Sequence, residues 1–367
     1  MRKTFIPCAL IAIILLFAGC RTAEVTQDIP THSIPSSPGV SNESELSSHV
    51  GNDVKGYSIA YGTVWVPSEE NLTALFQIPE NTEINEVSKT GHVIQTDDKV
   101  LAFDQGMISF ICPQSEIVNS VLYIFRNNIA ETNYNADQFS QTQDLKFASR
   151  EEVIEALERL LQEMGKDEVY QITAYSLDST TMEEQEKLLE EKIGEAQSEM
   201  PMVEVWDESC DSYYLQAVPT IDGAPLLSVT TGNAENGTLI TNEMITAIYT
   251  HSGFELFMMT NGVDITSVEQ REGTLIESEQ AEKIFDELNL SLLSNETYQV
   301  ESMQLGYYSE YVNSEHTQVA FRPAWEAKTI ATGEDASKNS ENRGRYSYTI
   351  SQYIDAETGQ EIVEALG

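Results

Sequence analysis

Apolar residues at Val153, Ala156, Leu157, Leu160, Leu161 and Met164 recur at helical spacing, with polar residues between them. A stripe of that period predicts an amphipathic helix that buries one face. Ser149 stands where an N-cap belongs, Glu152 three residues later completes a capping box, and Gly165 supplies the stop. Around this helix the chain reads as short β-rich runs. Residues 57–61 and 63–66 are strand-like, and 100–103 with 107–110 form a hairpin around Asp104-Gln105-Gly106. Residues 117–125 fit either a strand or a short helix. A strand follows at 169–177, then a charged helix at 182–196 with Leu188, Leu189 and Ile193 on its apolar face. Strands at 213–218 and 225–229 flank Asp222-Gly223, and those at 245–249 and 254–259 flank His251-Ser252-Gly253.

The helix pattern then returns. A shift of 128 residues lays Ala281, Ile284, Phe285, Leu288 and Leu292 on Val153, Ala156, Leu157, Leu160 and Met164, and Thr297-Tyr298-Gln299-Val300 on Val169-Tyr170-Gln171-Ile172. Helix and following strand match without a gap, as a duplicated unit requires. The expected fold class is therefore α+β: tandem modules of one amphipathic helix packed on antiparallel strands, preceded by a β-rich N-terminal region. The corresponding boundaries are 56–148 for the N-terminal region, 149–272 for the first module and 273–367 for the second.

The N-terminus has a different character. Arg2 and Lys3 precede an apolar run from Ile6 to Phe17, and small residues Ala18 and Gly19 lead into Cys20. That is the layout of a secretory signal, and its roughly dozen apolar residues fall short of the about 20 that a spanning helix needs. Leu16-Phe17-Ala18-Gly19-Cys20 resembles the bacterial lipobox, with Phe17 where Leu is preferred. The resemblance implies removal of residues 1–19, acylation of Cys20 and a place on the extracytoplasmic face of a cell membrane. Residues 20–55, rich in Ser, Thr, Pro and Asn, read as a flexible stalk reaching about 30–35 Å. The expected contacts are the lipid bilayer, through Cys20, and another envelope protein.

Charge narrows the partners. Sixty acidic residues against 20 basic ones give a formal net charge of −40 over 367 residues, which repels nucleic acid and anionic lipid headgroups. Of four cysteines, Cys8 lies in the expected signal and Cys20 is the residue that the lipobox resemblance implies is acylated. Cys112 and Cys210 either pair, closing a loop worth about 4 kcal/mol in the chain-entropy model, or Cys112 is a small buried hydrophobe beside Ile108, Phe110 and Ile111. No HExxH, GxSxG, Walker, Rossmann or CxxC pattern occurs. The five histidines, His32, His49, His92, His251 and His316, are dispersed. No catalytic residue, metal ligand or cofactor is therefore expected. The acidic run at Asp355, Glu357 and Glu361 places its Gly one position early for an EF-hand. Trp206, among Glu204, Asp207, Glu208 and Asp211, reads either as an aromatic-acidic binding edge or as a plain loop.

Several motifs together resemble a known group. The helix from Ser278, the strand Val319-Ala320-Phe321-Arg322-Pro323-Ala324-Trp325 and the closing turn at Asp355-Ala356-Glu357-Thr358-Gly359 resemble PepSY and YycH/YycI-type envelope modules. The nearest likeness is to clostridial-type lipoproteins of unknown function, and Asp222-Gly223-Ala224-Pro225 is similar to a turn frequent in them. The resemblance implies a non-enzymatic binding or regulatory partner of another envelope protein. Two alternatives stay open: a carboxylate-dependent envelope hydrolase and a solute-binding lipoprotein. Replacing Cys20 with Ala is expected to release or misprocess the protein; a variant that fractionates with membranes and carries normal acylation refutes the anchor.

Overall fold

The computed structural model describes residues 56–127, 138–193, 203–233, 238–291, 296–313, 317–334 and 345–363; Cys20, the signal 1–19 and the stalk to 55 lie outside them. In chain order the elements are β1 (Tyr57–Val64), α1 (Glu69–Leu75), β2 (Ile84–Glu86), β3 (His92–Gln95), β4 (Val100–Asp104), β5 (Met107–Ile111), α2 (Glu116–Asn127), α3 (Arg150–Glu163), β6 (Tyr170–Leu177), α4 (Ser179–Ile193), β7 (Ser212–Ile221), β8 (Ala224–Pro225), β9 (Thr230–Asn233), β10 (Thr238–Thr241), β11 (Met244–Thr250), β12 (Gly253–Thr260), β13 (Val263–Arg271), α5 (Ser278–Ser291), β14 (Thr297–Tyr311), β15 (Gln318–Glu334) and β16 (Arg345–Asp355).

Two antiparallel sheets carry the structure. The larger has nine strands in the order β2-β3-β4-β5-β12-β11-β7-β6, with β8 attached to the end of β7. Its alternating residues split between two cores. On one face Leu101, Phe110, Leu215, Ala247 and Phe257 meet Val153, Leu157 and Leu161 of α3 and Leu72 of α1. On the other, Ile248 and Leu256 meet Val118 and Val121 of α2 and Met182 and Leu189 of α4. The smaller sheet has five strands, β13-β1-β15-β14 with β16 also on β15. Ala281 and Phe285 of α5 cover one face of it, against Trp325, Ala327 and Ile354.

The tandem arrangement expected from the sequence does not form. Helices α3 and α5 do stand 128 residues apart, but the sheets they cover are built differently. The first is closed on both faces by helices and recruits β2 to β5, because β5 pairs with β12 from Leu256↔Ile111 to Met259↔Ile108. The N-terminal region thus completes that sheet instead of preceding it. β1 leaves for the other sheet, pairing with β13 and with β15 through Ala60↔Phe321. The sheets therefore cut across the boundaries at 148 and 272.

Local readings were decided by tertiary packing. Residues 117–125 are helical because Val118, Val121 and Ile124, at helical spacing, are all buried against the sheet. In α4 the inward face is Met182, Glu186 and Leu189, whereas Leu188 is exposed. The expected strand at 225–229 is only two residues long. Asp222 and Gly223 both have positive φ, 50° and 82°, as a two-residue primed hairpin turn requires. Beyond Pro225 the chain departs for the smaller sheet.

That departure joins the sheets. Leu226 makes a parallel bridge to Tyr307, and Leu227 and Val229 bury against Ala324 and Tyr353. The Asn242 side-chain amide donates to the carbonyls of Leu227 (2.7 Å) and Tyr307 (2.8 Å). Thr231 Oγ1 donates to the Ser309 carbonyl at 2.6 Å, and Tyr353 OH to the Ser228 carbonyl at 2.9 Å. Gly306 lies beneath this latch, so that a methyl there collides with the Leu227 side chain and the Pro225 carbonyl. Overpacking of this kind costs about 1–3 kcal/mol. Gly306→Ala is expected to lower the thermal midpoint by several degrees while leaving far-UV circular dichroism unchanged; an unshifted midpoint refutes the latch.

Candidate functional site

The two sheets meet at a buried ammonium group. Lys166 follows α3 and Gly165, and its side chain is wholly buried. Its Nζ contacts Glu243 Oε2 at 3.0 Å and Glu168 Oε2 at 3.2 Å, and donates to the Val263 carbonyl. The Trp65 ring centroid lies 5.9 Å away, within cation–π range. Glu243, also wholly buried, accepts from Tyr170 OH at 2.7 Å and from the Val263 N–H at 2.9 Å. Glu168 Oε1 accepts from the Ile265 N–H at 3.1 Å. Lys166 and the two glutamates thereby satisfy the outer edge of β13 at Val263 and Ile265, as a neighbouring strand would.

Nearby backbone bonds close the joint. Trp65 N donates to the Gly262 carbonyl, Gly262 N to that of Gly106 and Gly106 N to that of Trp65, at 2.9, 2.7 and 2.8 Å. The end of β1, the β4–β5 turn and the β12–β13 link are thus tied in a ring.

Beside this node opens a groove of about 470 Å³, lined among others by Thr63, Trp65, Val66, Asp167, Glu168 and Asp264. Its charge is one-sided, since Lys166 is already in contact with both Glu243 and Glu168 and Asp167 and Asp264 are additional. The Glu168 side chain is 9% exposed, and its Oε2 accepts no hydrogen bond despite its contact with Lys166. Burial pushes the Asp264 carboxyl above its ordinary range; Lys166 opposes the rise, and Glu168 and Asp167 add to it. Burial likewise raises Glu243, against Lys166, the Val263 N–H and Tyr170. The arrangement suits a cationic group, which would relieve the repulsion among these carboxylates. A second crevice, about 100 Å³ between the sheets, has room for only a few atoms; the Asn242 amide oxygen and the Ser309 hydroxyl line it without a hydrogen-bond partner.

The residues singled out from the sequence lie elsewhere. Cys112 and Cys210 are free thiols. They leave β5 and enter β7 at the same end of the sheet, with β12 and β11 between them. Three strand spacings separate them by about 14 Å, well beyond the reach of a disulfide. Burial raises the Cys112 thiol to about 11, with Glu255 adding to the rise. Cys210 is buried, so both behave as small hydrophobes. Trp206 is no binding edge: its indole N–H donates to Glu186 Oε2 at 2.7 Å and it packs on the α2–α4 core. Asp207 caps the turn Glu208–Cys210, and Asp211 is buried, accepting from the Ser179 N–H at 2.9 Å.

Asp355 Oδ1 is taken up by the N–H groups of Glu357 and Thr358 and by the Thr358 hydroxyl, a side-chain-stabilised turn. Among the described residues no group of three or more His, Cys, Asp or Glu is placed to hold a metal ion. His251 stacks on Phe147 with centroids 4.2 Å apart, and His92 lies against Phe103; the other three histidines lie outside the described residues. Sequence reasoning missed the Lys166 node. Its one available signal was a lysine between the stop of an amphipathic helix and a strand rich in apolar residues.

No protein-family model matches the chain, and no curated protein matches it either. Among solved structures it is similar in fold to an uncharacterized protein from Eubacterium rectale. The TM-score is 0.59 at 14% identity, covering 85% of this chain and 86% of that one. Among the described residues no helix is long and apolar enough to cross a membrane.

Removing one member of a buried ion pair typically costs about 3–5 kcal/mol. Lys166→Met is expected to destabilise the protein by that order in denaturant unfolding, with partial recovery when Glu243→Gln is added. A neutral effect of the single change refutes the node. Asp264 tests the groove. Because its carboxyl is raised in the fold, its ionisation costs stability as pH rises through that range and costs nothing below the unfolded value of about 3.9. Asp264→Asn is therefore expected to stabilise the protein at neutral pH, with the gain vanishing at acid pH.

Proposed function

We propose that the protein is a lipid-anchored, non-enzymatic binding module on the extracytoplasmic face of a membrane, and that the acidic groove holds a cationic segment of another envelope protein. The observation that carries this reading is the imbalance at the sheet junction. One buried cation, Lys166, meets two carboxylates, and Asp167 and Asp264 extend the negative surface outward from them. The lipobox-like run ending at Cys20 supports the location. The likeness of the C-terminal motifs to regulatory envelope modules supports a binding role. Glu243 and Glu168 are committed to Lys166 and to backbone N–H groups, which weighs against their use as the free acid and base that glycoside hydrolysis demands.

A net charge of −40 also speeds the approach of a basic surface through long-range attraction, an effect that salt weakens. Val66, 64% exposed at the groove, is a suitable position for a photo-crosslinking amino acid. Illumination of intact cells is expected to yield one dominant adduct with another envelope protein, strongly reduced when Asp167→Asn and Asp264→Asn are combined. Failure to recover a specific adduct, or an adduct indifferent to both changes, removes the reading.

A further inference from the structure

Ile265, which lines the groove, is followed on β13 by an open strand edge. Among the described residues β13 pairs with β1 alone. At Val263 and Ile265 its outer edge is occupied by Lys166, Glu243 and Glu168; from Thr266 to Arg271 none of the described residues occupies it, and every residue of the stretch is exposed. The ladder shows which backbone groups face outward. Trp65 N donates toward β13 at Gly262 and Val64 N toward β15 at Thr317, so odd-numbered residues of β1 face β13. After the irregularity near Gly62, Tyr61, Ile59 and Tyr57 stand opposite Ser267, Glu269 and Arg271. Alternation along an antiparallel pair then turns the N–H and C=O groups of Val268 and Gln270 away from β1, to the open edge. Val268 is also 47% exposed.

We infer that this edge takes up an extended, lysine- or arginine-bearing peptide segment as an added strand, with its cationic side chains directed into the groove. The inference rests on the groove reading above and specifies the form of the partner. Charge complementarity selects the occupant. Asp264 and Ile265 of β13 line the groove together with Asp167 and Glu168, and Glu269 and Glu272 flank the open stretch, where Arg271 is the one cation and is paired with Glu269 at 2.8 Å. A second copy of this acidic chain meets like charge there, whereas a basic strand meets opposite charge. Added strands draw affinity from main-chain hydrogen bonds and specificity from alternate side chains. Here the two sources are separable.

The probe is a short acetylated peptide of alternating lysine and valine with a fluorophore at one end, titrated with the purified chain and read by anisotropy. Val268→Pro removes an outward N–H where an edge strand tolerates proline; Val268→Thr keeps it. Loss of a main-chain bond and the added clash are expected to weaken binding at least about tenfold for the proline variant, with the threonine variant unaffected. Circular dichroism and thermal unfolding check that the proline variant is folded. Asp167→Asn with Asp264→Asn is expected to weaken binding and flatten its salt dependence.

If the carboxylate changes matter and Val268→Pro does not, strand addition is overturned while the groove reading stands. If Val268→Pro matters and the carboxylates do not, the groove reading falls and a basic occupant with it. A peptide that does not bind overturns strand addition. A dimer in sedimentation that Val268→Pro dissolves assigns the edge to a second copy, which also overturns the inference.

Discussion

The contact between Lys166 and its two glutamates carries the architecture. An ammonium group withdrawn from water loses several kcal/mol of hydration, and it persists here because Glu243, Glu168, the Val263 carbonyl and the Trp65 ring surround it. Those partners come from different parts of the chain: the loop after α3, the residue before β11, the start of β13 and the residue after β1. One charge therefore ties the larger sheet to the smaller, alongside the latch at Leu226–Thr231 and the ring at Trp65, Gly106 and Gly262. Hydrophobic contacts alone would fix this orientation less sharply, because apolar surfaces tolerate sliding and an ion pair with directed hydrogen bonds does not.

The same arrangement connects stability to the groove. Glu168 joins the structural node and lines the open surface, so its side chain belongs to both. A structure that uses side chains to finish a strand edge for two residues and then stops leaves the remaining edge with its hydrogen-bonding capacity intact. Natural proteins blunt such edges with charge, and Glu269 and Arg271 have that effect on β13. The charges deter indiscriminate pairing and still admit a strand of matching polarity.

Local order was legible in the sequence; long-range order was not. The capping box of α3 forms as read, with Glu152 N donating to Ser149 Oγ at 3.2 Å and Ser149 N to Glu152 Oε2 at 2.7 Å. The hairpins at Gly106 and Gly253 form as read, because their signals lie within a few residues. Periodicity carries no information about which strands pair across a hundred residues, so the recruitment of β2 to β5 into the larger sheet was invisible. The run from Ile117 to Phe125 is apolar enough to read as strand or helix, and burial of Val118, Val121 and Ile124 against the sheet selects the helix. The groove was hidden for a related reason. Asp167, Glu168 and Asp264 are ordinary members of a strongly acidic chain, and only the docking of the loop after α3 on the edge of β13 brings them together.

The placement of β1 bears on how the molecule is made. The first strand among the described residues is held by β13 and β15, and β15, 17 residues long, is flanked by β14 along one edge and by β1 and β16 in succession along the other. β1 (Tyr57–Val64) therefore gains its first strand partner only when β13 (Val263–Arg271) has been made, and its second only with β15. Closing so long a loop slows folding, and among the described strand pairs those of β1 with β13 and β15 span the most sequence, so the smaller sheet rests on the longest-range pairings of the fold.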